Sequence, residues 1–548
     1  MSLAILSTGA LDSIGSDARR PVIIAFLLFV SGSLLWLFAL VAAHQDDPDR
    51  FYVAGRRLSP TVNGFAMAGE QISAVALLAI PGGIALFGYD GFTVAVDVLL
   101  TMGVMLLLAQ RTRNTGRYTL GELFALRAPG PGPRIAAALV TLAITLPVLT
   151  VQLRAAGISV SLLIGMPTDS AQLICTILIG FLVACFAAIG DLRGITFMQV
   201  VKVPLCLITL AVVTLLALRR FEWDPGHLLG AAVNRSLAPD KYLSPGLWPY
   251  WTSLRPLNSV GEHIIAILGT AVAPHLLLRI GASRSGPAAR RSISIASALV
   301  GMFTVLLIAT GFASAALLGS KNIGAADGNG QSSLLLLASG VLDDGSSARV
   351  ALITTIACVT FLAVFTAVTS VAFAAAVSLT RDVFARRLRR HSNTAEVRTL
   401  RLAVVLLCTA GLSLSVATHH YQVEFLVNFA INVAASCIFP ALICSLFWQK
   451  FNRRGLLWSV YCGLALCTLL TVFSPEVSGT TYALWPDTDF AWYPFHTPGL
   501  ISVPAAFLLG WIGSVTSQEA PPSCFPDIEY TMATDTGERP AAASPHYG

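Results

Sequence analysis

The chain has 548 residues, of which 55% are hydrophobic and only 12% charged, and its formal net charge is +6. Such a composition cannot fold as one soluble domain without a largely apolar surface, so it excludes the soluble class and points to a polytopic membrane protein. The positive charge does not call for nucleic acid, because the basic residues sit in loops between apolar runs.

A hydrocarbon core about 30 Å thick needs about 20 apolar residues per helix. The runs 21–43, 61–88, 91–110, 134–165, 171–190, 194–218, 259–283, 291–318, 348–379, 400–418, 423–449, 455–473 and 497–516 meet that need. They predict an all-α fold with about 13 transmembrane helices. Arg19 and Arg20 precede the first run, which is longer than the 7–15 apolar residues usual in a signal core. That length favours a retained helix over a cleaved signal peptide.

The second run, TVNGFAMAGEQISAVALLAIPGGIALFG, carries Glu70 among glycines and a proline. An ionised side chain at the centre of a bilayer costs roughly 2.5–3.5 kcal/mol on insertion scales, so such residues face cavities or ion paths. Asp97 lies in the next run, Arg154 in 134–165, and His275 in 259–283; Lys202, near one end of its run, is expected to snorkel to the surface. Glu70 and Asp97 are candidates for proton or charge coupling. The structural alternative is an ion pair of either carboxylate with Arg154 that only joins helices.

Positive loops stay cytoplasmic. With the N-terminus outside, those loops hold Arg50, Arg56 and Arg57; Arg111, Arg113, Arg117, Arg127 and Arg134; Arg193; Arg279, Arg284, Arg290 and Arg291. They also hold Arg381, Arg386, Arg387, Arg389, Arg390, Arg398 and Arg401, then Lys450, Arg453 and Arg454. The segments 219–258, 319–347 and 474–497 fall outside, and the last has no Lys or Arg. The Pro- and Ala-rich tail, 517–548, reads as a flexible cytoplasmic end. The predicted location is a plasma membrane, and the Arg-rich, Lys-poor composition suits a bacterial one.

Nine of the ten cysteines, among them Cys175, Cys185, Cys358, Cys437 and Cys462, lie in apolar runs without a CxxC and read as packing residues; Cys524 is in the tail. No GxxxxGK[ST], HExxH or GxSxG stretch and no paired-aspartate motif occurs. An ATP-driven pump and an intramembrane enzyme are therefore disfavoured, and no cofactor is expected.

Two runs break the rules of a simple span at matching places. Run 61–88 holds Gly69, Pro81, Gly82 and Gly83, and run 259–283 holds Gly269 and Pro274. Discontinuous helices expose carbonyls and helix ends that bind ions and solutes, and in transporters they recur once per repeat. Each begins a series of five runs, 61–218 and 259–449, which predicts two inverted repeats.

The stretch FYVAGRRLSPTVNGFAMAGEQISAVALLAIPGGIALFGYDGF, then RNTGRYTLGELFALR, GDLRGITFMQVVKV, GTAVAPHLLLRI and NFAINVAASCIFPALICSLFWQKFNRRG, resemble the sodium:solute symporter family, in particular its acetate permease or monocarboxylate branch. The resemblance spans nearly the whole chain. It implies a five-plus-five inverted-repeat core of the leucine-transporter type, and alternating access coupled to a cation gradient. It also implies a cation site made by Gly69, Ile72, Ala363, Thr366 and Ala367, where Ala367 lacks the hydroxyl that the family has. A carboxylate usual in the sugar and proline branches is replaced by Gln199. The coupling cation is left as Na+ or H+.

Gln71, Gln152, Arg154, Thr270 and His275 are the candidate substrate residues. An amide such as that of Gln152 can donate two hydrogen bonds, and a guanidinium such as that of Arg154 presents a planar fork to a carboxylate. Arg154 is open to a second reading, neutralised by Asp97 or reaching a surface, and His275 to capping freed carbonyls.

The expected organisation is an extra helix and first loop in 1–60, repeat one in 61–218, and an external loop in 219–258. Repeat two follows in 259–449, then two accessory helices in 450–516 and the tail in 517–548. The expected function is cation-coupled import of a short-chain monocarboxylate such as acetate, propionate or pyruvate. Partners are the organic anion, the cation and the bilayer, with no obligate protein partner implied. A symporter of another small solute such as an amino acid, and a solute-sensing membrane protein, are the alternatives.

Overall fold

The computed structural model describes residues 16–42, 52–56, 58–117, 119–164, 166, 168–248, 255–326, 328, 330–343, 346–384, 393–419, 421, 425–480, 483–517, 529–530 and 532. Arg50, Arg57, Arg386, Arg387, Arg389, Arg390, Cys524 and most of the tail lie outside the described residues. The fold is a helical bundle. Its elements are α1 (Ser16–Ala42), α2 (Pro60–Gln71), α3 (Ala74–Phe87), α4 (Tyr89–Asn114), α5 (Pro131–Leu163), α6 (Asp169–Ile189) and α7 (Leu192–Arg220). These are followed by α8 (Arg255–Ala271), α9 (Pro274–Gly281), α10 (Gly286–Leu318), α11 (Ser347–Leu379), α12 (Asn393–Ala417), α13 (Phe425–Phe447), α14 (Arg453–Val472) and α15 (Gly499–Val515).

Among the described residues, nine helices are long and apolar enough to cross a membrane, and two bent pairs, α2/α3 and α8/α9, raise this to as many as eleven. The helices α1 and α15 occupy the places of the first and last predicted runs. Large apolar side chains such as Leu107, Phe181, Ile208 and Val305 lie on the bundle's outer surface. A hydrocarbon solvent accepts that arrangement and water does not.

The two bends have different local causes. After Gln71 the chain leaves the helix at Ile72 (φ −80, ψ 76), and extended Ser73 caps α3 by accepting the Ala76 amide at 3.1 Å. The axes turn by 54°. At the second bend Pro274 starts α9, where a missing N–H costs nothing. A residue before proline is also pushed out of the helical region, and Ala273 adopts φ −58, ψ 137. That pair turns by 41°.

Pro81, Gly82 and Gly83 do not make the first bend, because α3 runs through them unbroken. Gly82 instead lets the backbone of Gly330 come against the helix, in space that a Cβ would fill. In α13 a π turn over Ala434–Ile438 precedes Pro440. Proline has no N–H to return to the preceding turn, and the widened turn absorbs the mismatch.

The basic segments predicted to share one side meet at one end of the bundle. A guanidinium nitrogen of Arg56 donates to Gly116 O at 2.6 Å, Arg113 to the carbonyls of Ser283 and Arg284, and Arg381 to Glu122 and Glu396 at 3.2 Å each. A cavity of about 320 Å3 at this end is lined by Arg56, Arg117, Arg381 and Glu122 among others. Arg127 is fully buried and closes the C-terminal end of α13, donating to Ser445 O at 2.8 Å and Gln449 O at 3.2 Å. Those terminal carbonyls have no partner within the helix, and a cation there also meets the negative end of the helix dipole. Arg113 and Arg127 are thus helix-end clamps rather than free loop charges.

The TLGE motif of residues 119–122 is explained by Asp382. Its carboxylate accepts Thr119 Oγ1 at 2.7 Å, Ser378 Oγ at 2.6 Å and the Gly121 amide at 3.1 Å. A Cβ on Gly121 would collide with that carboxylate. Gly121→Ala is therefore expected to lose about 1–3 kcal/mol of stability, read as a lower unfolding midpoint of the purified protein; an unchanged midpoint contradicts the contact.

The opposite end gathers residues of the segments 219–258 and 474–497, the second of which has no Lys or Arg. Asp90 accepts the amides of Gly246 and Trp248, Tyr242 donates to Ile84 O at 2.8 Å, and Asn258 accepts the His496 amide at 3.0 Å. Here Glu476 accepts Asn428 Nδ2 at 2.9 Å. Burial, helped by the nearby Glu262 carboxylate, outweighs that hydrogen bond and pushes the Glu476 carboxyl up to about 8. A carboxyl raised above its unfolded value of 4.5 withdraws stability as pH climbs between the two values. Glu476→Gln should therefore raise the thermal midpoint at pH 8.5 and leave it nearly unchanged at pH 4; an equal effect at both values would contradict this assignment.

Candidate functional site

Four helices bring charged and polar groups together beside the first break. On α7, residues 196, 199 and 202 are spaced by three and share one face. This is the GITFMQVVK stretch. Thr196, Gln199 and Lys202 are all buried. Opposite lie the end of α2, with Gly69 and Glu70, the short α9, with His275 and Arg279, and the middle of α11, with Thr366 and Ser370.

Glu70 and Arg279 form a buried ion pair, each side chain about 1% exposed, with Arg279 Nε and a terminal nitrogen 3.0 and 2.9 Å from Glu70 Oε1. Ser370 Oγ donates to the same oxygen at 2.6 Å, and Arg279 also donates to Thr196 Oγ1. Asn63 Nδ2 holds the Arg279 carbonyl at 3.3 Å and Ser283 Oγ at 3.0 Å. One carboxylate therefore links α2, α9 and α11, and its cation reaches α7. The sequence placed Arg279 in a cytoplasmic loop. It belongs instead to α9, and its charge is stable there because Glu70 faces it.

Lys202 does not reach a surface. Its Nζ is buried and donates to Gly69 O at 2.6 Å and Thr366 Oγ1 at 2.9 Å. The Thr366 hydroxyl donates its own hydrogen bond to the Leu362 carbonyl at 2.8 Å, which leaves its oxygen free to accept. Lys202 lies deep because two oxygens, a freed carbonyl next to the helix break and a hydroxyl, replace the water it would otherwise seek.

Gln199 lies against Gly69, in space that a side chain at 69 would need, and neither its amide oxygen nor its nitrogen has a hydrogen-bond partner among the described residues. The nitrogen of Gln71 is likewise unpartnered. Buried amide groups left unsatisfied are costly, so a site with three such atoms is suited to a polar ligand.

The expected cation-site residues Gly69, Ile72, Ala363, Thr366 and Ala367 are all buried on the facing parts of α2 and α11. The structure joins Gly69 to Thr366 through Lys202. Among the expected substrate residues, Gln71 ends α2, Thr270 lies just before the second break, and half-buried His275 on α9 is within electrostatic range of Glu70 and Arg279. Gln152 is half-buried on α5. Arg154 is bound elsewhere, to the carbonyls of Thr418, at 3.4 Å, and Tyr421 beyond the end of α12. Asp97 pairs with His263 Nδ1 at 2.6 Å. Neither carboxylate is joined to Arg154.

Lys202, Arg279, Thr196 and Ser370 were not singled out as site residues from the sequence. For Lys202 and Arg279 a signal was present, since the cost that marks Glu70 applies to any charge inside an apolar run. Thr196 and Ser370 carried no such mark. Arg279→Met should leave the Glu70 carboxylate buried with Ser370 as its remaining partner and remove about 3–5 kcal/mol of stability. Adding Glu70→Gln should restore much of the loss in the unfolding midpoint. Equal midpoints for the single and double variants would show that the pair is not coupled.

The sodium:solute symporter family profile matches residues 51–463. A monocarboxylic acid transporter of Corynebacterium glutamicum is 32% identical over 524 residues, covering 93% of this chain and 94% of that one. An uncharacterized symporter, YwcA of Bacillus subtilis, is 31% identical over 506 residues, with coverage of 90% and 94%. Among solved structures, a Na+-coupled sialic acid symporter in a substrate-bound outward-open state superposes with a TM-score of 0.71 at 13% identity, covering 91% of this chain and 98% of that one. The closed form of Mhp1, a nucleobase-cation-symport-1 transporter, gives 0.53 at 14% identity, with coverage of 88% and 99%. These likenesses establish the five-plus-five, leucine-transporter-type fold. From the profile, the relatives and the architecture together, this chain is a multi-pass membrane protein that belongs to the sodium:solute symporter family.

Proposed function

We propose that this protein is a cation-coupled symporter that imports a short-chain monocarboxylate such as acetate, propionate or pyruvate by alternating access. The observation that carries the reading is full-length similarity to a monocarboxylic acid transporter, 32% identical over 93% of the chain. The electrostatics support it. Within the cluster Glu70 is matched by Arg279, and Lys202 remains as a positive charge without a carboxylate of its own among the described residues. An anion entering such a site meets compensation for its charge, which an apolar pocket would not supply.

In this reading the anion binds between the two breaks, where the unpartnered amides of Gln71 and Gln199 and the hydroxyl of Thr270 supply hydrogen bonds. His275 adds a polar wall. Glu70 fixes α2, α9 and α11 around the site. The end rich in arginine faces the cytoplasm, in keeping with the positive-inside bias, and residues 474–497 cover the outer side. Repeat one is 61–218, repeat two is 259–449, and the membrane is the bacterial inner membrane.

Proteoliposomes test this directly. Labelled acetate or pyruvate should accumulate above its equilibrium level under an imposed sodium or proton gradient, and labelled alanine should not. Failure of every monocarboxylate to accumulate under both gradients would overturn the reading; accumulation of alanine alone would transfer it to amino acids.

A further inference from the structure

The family implies a sodium ion at the first break, and the residues that would hold it do not fit one here. Two of its expected oxygens, Gly69 O and Thr366 Oγ1, are already bonded to Lys202 Nζ at 2.6 and 2.9 Å. A sodium ion drawing on the same two oxygens would stand beside a buried ammonium, and like charges in a medium of low dielectric repel strongly. The hydroxyl missing at Ala367 fits the same picture. An ammonium donating to one carbonyl and one hydroxyl has no use for a second hydroxyl, whereas a bare metal ion does.

The surroundings supply a second observation. Among the described residues the carboxylate in electrostatic reach of this ammonium, Glu70, is committed to Arg279 and Ser370. The other groups in electrostatic reach are Arg279 and Cys206, and neither is an anion partner that holds Lys202 by an ion pair. Gln199, one turn before Lys202 on the same face of α7, is fully buried, and its whole amide is unpartnered among the described residues. The ammonium and the open amide together mark a place prepared for a small anion.

We propose that Lys202 is the resident cation of this site: its ammonium stands between Gly69 and Thr366 in place of sodium, and the site attracts the substrate carboxylate without binding a metal ion there. The proposal rests on the reading of this cluster as the transport site of a monocarboxylate symporter, and it assigns the charge that balances the anion to the chain itself. The tether matters chemically. A sodium ion can leave with the substrate; a lysine side chain cannot.

The test uses the purified full-length protein. Equilibrium binding of 22Na+ by scintillation proximity is expected to show no saturable component, and saturable binding of one ion per chain would overturn the proposal. Pyruvate affinity, measured calorimetrically in sodium chloride and in choline chloride, should agree within about twofold. A sodium requirement for binding would overturn it. Lys202→Met should weaken pyruvate binding by about tenfold or more, and unchanged affinity in a variant with a wild-type unfolding midpoint would remove Lys202 from anion attraction. Lys202→Ser, which uncovers the two oxygens and adds a third, should gain saturable 22Na+ binding. If the chain binds no monocarboxylate at all, the functional reading fails, while the sodium measurement on the wild-type protein still decides the question of the resident cation.

Discussion

A buried carboxylate must be neutralised where it stands, and the pairing of Glu70 with Arg279 is the constraint around which the centre of this molecule is arranged. The pair joins the last turn of α2 to the last turn of α9, so the two bent helices meet at a charge-assisted contact. Ser370 and Thr196 bring α11 and α7 to the same point. A planar guanidinium suits the role because it reaches Glu70 and Thr196 at once. With that charge settled, Lys202 can occupy a second position, held by a carbonyl that the helix break leaves available and by a threonine hydroxyl. The bend is thus more than a distortion in a span. It creates the acceptor that allows an ammonium to live in the interior.

The coarse fold was legible because the bilayer imposes a length and a polarity that primary sequence must obey. Runs of apolar residues, the clustering of arginine in alternate connections and the paired interruptions at 61–88 and 259–283 all report on that solvent. The finer position of the first break was not legible from glycine and proline alone. Gly69, Pro81, Gly82 and Gly83 all mark that run, yet only Gly69 lies near the turn at Ile72 and Ser73, and α3 passes unbroken through the other three. The second break did follow its proline. Pro274 has both of its local effects there, on its own missing N–H and on the backbone of Ala273.

The site was legible in part, and the reason is pairing. Glu70, Gly69 and Thr366 could be proposed one at a time from charge and from family likeness. Their partners could not, since a contact between residues 70 and 279 or 202 and 366 depends on how distant helices cross. Arg113, Arg127 and Arg279 illustrate the same limit. Near the ends of apolar runs they look like topological signals, but each is buried and spends its guanidinium on carbonyls or on Glu70. Arg154 is the reverse case: prominent as an intramembrane charge, it is spent on the carbonyls of Thr418 and Tyr421, away from Glu70. The likeness to a Na+-coupled sialic acid symporter concerns the fold, and the cation chemistry must be read from this chain's own residues.

The most direct measurement of the central claim is an electron cryo-microscopy map of the protein with pyruvate in sodium-containing buffer, at a resolution that separates side chains. Density for the anion between Gln71, Gln199 and Thr270, with Lys202 Nζ still on Gly69 O and Thr366 Oγ1, is the predicted result. A compact ion ringed by Gly69, Ile72, Ala363 and Thr366, with the Lys202 side chain turned away, would contradict it.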